Sequence, residues 1–234
     1  MLEFAHVEVA EGTGLACVRC ARAAATRPLP AAEVIERVEA LVGAWESAPG
    51  PNVLLAGGEP FDHPELPAIV AACARLGVER IAIETSGVAL AAPGLAPAVV
   101  EAGVTHLHVR VLAADASAGD ALAGRDVTAG AEAGVAAFRA AAAGARQPVI
   151  VTAVVPVCAH TVALLPATVA GLAVRGFDAA RLVSAGPAGP GTAALVSAAC
   201  DTGMVNHLWV ETDGALPLPD SHRLHAVPEG GHDD

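Results

Sequence analysis

Two cysteines near the amino terminus are the residues whose type and spacing best suit metal chemistry. Cys17 and Cys20 are separated by two residues in the stretch "GTGLACVRC", a spacing that allows two thiolates to bind one metal site. Thr13 stands where a third cysteine would complete the spacing C-x3-C-x2-C. The pattern leaves three interpretations: an iron–sulfur loop with one ligand replaced, half of a zinc site, or a loop that carries two thiols.

Other chemically capable residues lie within or directly after short apolar runs. A Gly-Gly-Glu-Pro sequence occupies residues 57–60, and a Thr-Ser-Gly sequence occupies residues 85–87. Arg110 lies within the run "THLHVRVL", and Cys158 and His160 follow "PVIVTAVV". If the runs are parallel strands, their carboxyl ends share one edge of the sheet, and these residues meet at one site.

The apolar runs alternate with alanine-rich segments of helical period. Strands are predicted at 4–9, 52–57, 80–85, 105–112, 148–155 and 180–185, with a seventh short strand at 207–212. Helices are predicted at 31–48, 64–77, 93–103, 129–144 and 161–176. Continuous apolar strands between helices predict an α/β fold with a parallel sheet, either doubly wound or a partial barrel.

Composition narrows the function classes. The 234 residues suit one domain at 1–216, followed by a polar tail at 217–234 that we expect to be flexible. A net charge of -12 and the absence of tyrosine make nucleic acid an unsuitable partner. Five scattered cysteines argue against a disulfide framework. We find neither a basic leader nor an apolar run of membrane-spanning length, and therefore expect a cytoplasmic protein without membrane partners.

Two phrases of the chain carry a family resemblance. "LLAGGEPFDHPEL", followed by "RLGVERIAIETSGVAL", resembles the radical S-adenosylmethionine (radical SAM) superfamily. The stretch "LACVRCARAAATRPLPAAEVIERV" is similar to that family's cluster loop and the helix after it, and the resemblance extends over residues 4–190. It implies a (βα)6 partial TIM barrel of parallel strands with outer helices, and S-adenosyl-L-methionine (SAM) as cofactor.

The resemblance also implies roles for the two turns. Gly57, Gly58 and Glu59 would hold the amino group of SAM, through glycine backbone groups and a carboxylate facing an ammonium. Pro60 would fix the turn, and Ser86 would contact the ribose or methionine of SAM. The alternative is a pair of ordinary strand-to-helix turns, with Glu59 in solvent and Ser86 as a turn residue.

Three positions depart from the family pattern. The family uses three thiolates to hold a [4Fe–4S] cluster, and Thr13 offers a hydroxyl that is a poor ligand for iron–sulfur chemistry. Arg19 replaces a usually aromatic residue, and Arg110 replaces a small polar one. Cys158 and His160 are candidate third ligands, although a lone cysteine such as Cys158 is also commonly a buried small hydrophobe.

The fourth predicted strand has one polar face. His106, His108 and Arg110 alternate with apolar residues, so that face would form a polar pocket if it lines the barrel interior. Arg110 would then pair with Glu59, or bind a carboxylate of SAM or of a substrate. If the strand is turned the other way, Arg110 points outward between helices.

Two classes of function follow. In the first, the chain is a radical SAM enzyme whose [4Fe–4S] cluster reduces SAM to a 5′-deoxyadenosyl radical that acts on a small-molecule or peptide substrate. In the second, the barrel lacks the cluster and serves as a binding protein or as the partner of another protein.

Overall fold

The computed structural model describes residues 4–13, 27–46, 50–145, 147–185, 189 and 191–209, and only the backbone of residues 13 and 206–209. Cys17, Cys20 and the tail at 217–234 lie outside this part of the chain.

Within the described residues, one sheet of eight strands is covered by seven α-helices. The strands are β1 Ala5–Thr13, β2 Arg27–Pro28, β3 Asn52–Gly58, β4 Arg80–Thr85, β5 His106–Arg110, β6 Ile150–Val157, β7 Ala179–Ser184 and β8 Val205–Trp209. The helices are α1 Ala31–Gly43, α2 Leu66–Arg75, α3 Leu95–Ala102, α4 Ala116–Ala123, α5 Thr128–Ala142, α6 Leu165–Ala170 and α7 Thr192–Cys200. None of these helices is long and apolar enough to cross a membrane.

The strand order decides between the two predicted architectures. The order is β2-β1-β3-β4-β5-β6-β7-β8, and every pair except β1–β2 is parallel. Because right-handed crossovers between successive strands place every connecting helix on the same side, a sequential order leaves one sheet face without helices. A doubly wound sheet would instead reverse its order part-way. The partial barrel is confirmed, and its sheet is not closed.

Burial separates the two faces of the sheet. Leu55, Ile83, Leu107 and Val151 are fully buried in the large core formed with helix residues such as Phe138. The alternate positions lie on the other face, where Phe4, Leu54, Ala56 and Ala82 form a separate small cluster. Since successive strand residues point to opposite faces, this second face also carries His106, His108 and Arg110. The polar face predicted for the fourth strand of the βα series is therefore the face that none of the described helices covers, and it is called the helix-free face.

The main differences from prediction lie at element ends and in short elements. β1 continues to Thr13, because its last residue pairs with Gly58 of β3. α4 lies in a segment for which no helix was predicted, and it begins where the Asp115 carboxylate accepts a hydrogen bond from the Ala118 amide at 2.8 Å. The last strand begins two residues earlier than predicted.

Candidate functional site

The Gly-Gly-Glu-Pro turn closes β3 in a conformation that suits glycine. Gly57 and Gly58 have φ values of 88° and 52°, in the left-handed region that side chains disfavour. A Cβ at Gly57 would also lie 2.4 Å from the backbone oxygen of Ala10 in β1. The turn is thus packed against the neighbouring strand, and the peptide groups of both glycines carry no shielding side chain.

The Glu59 carboxylate joins this turn to the end of the next strand. One oxygen accepts from the Thr85 hydroxyl at 2.5 Å and the Phe61 amide at 3.3 Å. The other oxygen accepts from the amide and the hydroxyl of Ser86, at 2.8 and 2.6 Å. Glu59 is only 9% exposed, and its four acceptor positions are occupied. The sequence interpretation with a solvated Glu59 is therefore wrong, and the carboxylate positions both turns.

The Thr-Ser-Gly turn packs against α5. Gly87 has a φ of 84°, and its amide donates to the Thr85 hydroxyl at 2.9 Å. A Cβ at Gly134 of α5 would lie 1.9 Å from the Gly87 oxygen, so the helix backbone packs directly on the turn. Ser86 is buried at the centre of this arrangement.

His63 ties the Gly-Gly-Glu-Pro turn to the segment that follows the cysteine loop. Its Nδ1 accepts from the Glu65 amide at 3.0 Å, directly before the first residue of α2. Since Nδ1 accepts, Nε2 carries the proton and donates to the Leu29 oxygen at 2.7 Å. Leu29 in turn donates its amide to Val9 of β1.

Both flanks of the cysteine-bearing segment therefore lie beside the Gly-Gly-Glu-Pro turn and the residues that follow it. Thr13, the last residue of β1, pairs with Gly58, and β2 returns antiparallel to β1 through the pair Ala10–Pro28. The predicted metal ligands Cys17 and Cys20 belong to the intervening segment and lie outside the described residues.

Arg110 lies on the helix-free face and pairs with Glu84. Its Nε and Nη2 lie 2.9 and 2.7 Å from one Glu84 oxygen, and both side chains are largely buried. Burial acts to raise the pKa of Glu84, but Arg110, by its charge and hydrogen bond, and Arg181 hold it below its usual value. The expected alternatives of a pairing with Glu59 and of an outward orientation are not what the structure shows. Glu84 had no role in the sequence analysis, because its position opposite His108 depends on strand register.

Two buried histidines extend the polar face. His106 and His108 are 7% and 5% exposed, and the Phe4 ring packs edge-on against both at centroid distances of 5.4 and 5.7 Å. Burial and the positive charge of Arg181 lower the pKa of His108 to about 4. Burial and Arg80 do the same for His106, whose pKa is also about 4. Both imidazoles are therefore neutral at pH 7.

The two candidate third ligands after β6 differ in their surroundings. Cys158 is buried, its amide donates to the Thr161 hydroxyl at 3.0 Å, and its sulfur lies 3.6 Å from the same oxygen. His160 is exposed. Within the described part of the chain, no group of three or more His, Cys, Asp or Glu residues is arranged to hold a metal ion.

Comparisons with known proteins identify relatives by sequence pattern and by fold. A family model described as the radical SAM superfamily matches residues 7–150. No curated protein sequence matches the chain significantly.

Solved structures share the fold at low identity. SuiB of Streptococcus suis bound to its precursor peptide SuiA is 14% identical, with a TM-score of 0.62 over 88% of this chain and 48% of SuiB. SuiB bound to S-adenosylmethionine is similar, with 13% identity and a TM-score of 0.63 over 88% of this chain and 49% of SuiB. A radical SAM methyltransferase from Sphaerobacter thermophilus is 20% identical, with a TM-score of 0.58 over 88% and 64% of the two chains. This chain thus spans about half the length of SuiB.

Proposed function

Because this chain belongs to the radical SAM superfamily, we propose that it binds SAM at the carboxyl ends of β3, β4 and β5. The observation that carries the proposal is the Glu59 carboxylate, which holds the Gly-Gly-Glu-Pro and Thr-Ser-Gly turns against each other through three bonds to Thr85 and Ser86. Two adjoining turns at the carboxyl edge of a parallel sheet form a suitable ligand mouth.

The residues at this mouth fit the polar groups of SAM. Gly57 and Gly58 have no side chains, and we assign their peptide groups to the amino group, with Pro60 fixing the turn. The Ser86 hydroxyl gives its proton to Glu59 and keeps its lone pairs for a ribose hydroxyl or the ammonium. Glu59 then acts chiefly as a positioning residue whose negative charge favours a nearby ammonium.

Arg110 has a different assignment in this proposal. Its level on β5 is one residue beyond the Thr85–Val109 pair, next to the Thr-Ser-Gly turn. The ion pair with Glu84 holds the guanidinium in place. A fixed guanidinium is suited to a ligand carboxylate, whether that of SAM or of a substrate.

The residues fit an iron–sulfur cluster less well. In this superfamily SAM supplies a carbon radical when a reduced [4Fe–4S] cluster lies beside it, and three thiolates hold that cluster. This chain offers Cys17 and Cys20 with Thr13 in the remaining position, so the loop lacks one thiolate. We therefore assign no chemical step to a cluster.

The second candidate function is that of a SAM-binding or partner protein with this fold but without radical chemistry. The observation that favours it is Thr13, which stands in place of a cysteine. Anaerobic reconstitution, followed by iron and sulfide counting, separates the two candidates. A stable cluster at about one per chain supports an enzyme that acts on a small molecule or peptide. It also supports Cys158 or His160 as the third ligand. Iron at background level supports the second function.

SAM binding itself is tested by isothermal titration calorimetry. We expect one saturable site in the unmodified chain and an affinity roughly tenfold or more weaker in Glu59→Gln, because a charged group that orders the mouth is lost. Glu79→Gln is the matched control, since Glu79 is exposed and pairs with Arg80 at the amino end of β4, opposite the edge that carries the mouth. Absence of SAM binding in the unmodified chain overturns the proposal, and equal affinity in all three proteins removes the role of Glu59.

A further inference from the structure

The helix-free face of the sheet carries an unusual set of buried polar groups below the proposed SAM mouth. We propose that this face binds a small organic acid, whose carboxylate lies among His108, Arg110 and Arg181. We further assign this acid as the substrate held beside SAM, and that part of the inference rests on the proposed function. Binding of the acid is measurable without SAM.

The first observation is that two buried ring nitrogens have no hydrogen-bond partner within the described residues. These are Nε2 of His106 and Nδ1 of His108, both in side chains more than nine-tenths buried. His106 Nδ1 lies 2.8 Å from the Thr105 hydroxyl, so only its second nitrogen is unmatched. Buried polar atoms are nearly always paired in proteins, because an unmatched one costs about 1–3 kcal/mol. A ligand with hydrogen-bonding groups supplies the missing partners.

The second observation is the sign of the charge around these nitrogens. Arg110 and Arg181 lie at one level of the sheet, because Arg110 and Arg181 both pair with Val154 of β6. Among the described residues, one buried carboxylate, Glu84, faces these two guanidiniums, and both histidines are neutral. Arg181 also has other contacts in the protein, so it favours a ligand here through its positive charge. An anion is the ligand that this charge favours, and guanidinium is suited to carboxylate.

The third observation is the direction from which a ligand enters. Phe4, Leu54 and Ala82 lie toward the amino-terminal side of the face, with the Phe4 ring against His106 and His108. Arg110 is the last residue of β5, and Arg181 lies at the same level on β7, because both pair with Val154 of β6. The polar groups are thus bounded by apolar side chains at one end and face the mouth at the other.

Succinate and succinamide are matched probes, since they share size and shape but differ in charge. We expect calorimetry to show succinate binding to the unmodified chain, and succinamide binding at least tenfold more weakly. Arg181→Met should weaken succinate at least tenfold, because it removes a charged partner. Arg175→Met is the control, since Arg175 pairs with Glu132 on the helix side and should leave succinate affinity unchanged.

Nitrogen-15 spectra of the labelled histidines give a readout that does not depend on a variant folding. The charged groups around His108 are Glu84, Arg181, His106 and His6. A bound anion adds negative charge to this set, so succinate should shift the His108 resonance and raise its titration midpoint. His160, which is exposed, should not respond.

Four results would overturn the inference: no binding of succinate, equal binding of succinamide, equal loss in Arg175→Met, or displacement of succinate by SAM. Displacement would mean that the acid occupies the position of the SAM carboxylate. If succinate binds while SAM does not, the proposed function fails and the acid site stands. If SAM binds and succinate does not, the acid site alone fails.

Discussion

Replacing Glu59 by glutamine tests the central contact of the candidate site. The substitution keeps the shape of the side chain but turns one acceptor oxygen into an amide that donates. In wild type, one carboxylate oxygen receives both the amide and the hydroxyl of Ser86 at 2.8 and 2.6 Å. An amide nitrogen in that position faces the Ser86 N–H, which then has no acceptor.

The magnitude follows from these contacts. Hydrogen bonds to a charged group contribute about 1.5–3 kcal/mol each, and the Ser86 hydroxyl is able to rotate toward another acceptor, whereas its amide is fixed. We therefore expect Glu59→Gln to lower the free energy of unfolding by about 2–3 kcal/mol. For a chain of this size that corresponds to a fall in melting temperature of roughly 4–12 °C.

Denaturant unfolding followed by circular dichroism measures the effect, with Glu79→Gln as control. Glu79 forms a partly exposed ion pair with Arg80, so its loss should change stability by about 1 kcal/mol or less. Equal stability of Glu59→Gln and wild type would refute the view that this carboxylate holds the two turns together.

Three further predictions concern the glycine turn, the buried ion pair and the cysteine loop. Gly57→Ala should destabilise the protein well beyond Gly94→Ala, because both glycines have φ near 85–88° but a Cβ is blocked only at Gly57; thermal unfolding of the pair isolates the clash. Arg110→Met should lower stability most at pH 7 and least below about pH 5. The reason is that the pKa of Glu84, which is below its usual value in wild type, would rise once Arg110 is lost and burial dominates. Urea unfolding across about pH 4.5–7 contradicts this if the stability difference between wild type and variant stays constant. Thr13→Cys should raise iron and sulfide content after anaerobic reconstitution above that of wild type, and an unchanged content would show that the loop is not a cluster loop.

The protonation of Glu84 sets the direction of the pH effect in Arg110→Met. In wild type, the lowered pKa of Glu84 means that its stabilising contribution is present above the unfolded-state pKa and lost as the pH falls through the folded-state value. In the variant, burial dominates and the carboxyl binds its proton more tightly in the folded state. The variant then gains stability relative to wild type as the pH falls from 7 toward 5.

Sequence periodicity predicted the architecture because it reports burial directly. The apolar runs in β3, β4 and β6 are buried on both faces, so each was recognisable without its neighbours. The alternation of His106, His108 and Arg110 predicted a polar face. The sequential strand order then explains why none of the described helices covers this face. α4 was missed because it is only eight residues long, although its capping Asp115 was visible in the sequence.

Hydrogen-bond partners within the site were less predictable than its location. The sequence placed Glu59 and Ser86 at neighbouring strand ends, but it did not show that the carboxylate would bond the next turn. Arg110 likewise forms an ion pair with Glu84, a residue 26 positions earlier, because parallel pairing brings β4 and β5 side by side. Such partners depend on strand register, which local pattern specifies only weakly.

The extension of β1 sharpens the interpretation of the Thr13→Cys experiment. Thr13 closes a strand and pairs with Gly58, so its backbone is already fixed beside the proposed SAM mouth. β-branched threonine suits a strand position, and cysteine there changes the side chain without requiring a new backbone conformation. Failure of Thr13→Cys to take up iron in a folded protein would therefore reflect the loop at 14–26 itself, and not a displaced strand. In that case the turns at Gly58 and Ser86 would keep a SAM-binding function that no cluster accompanies.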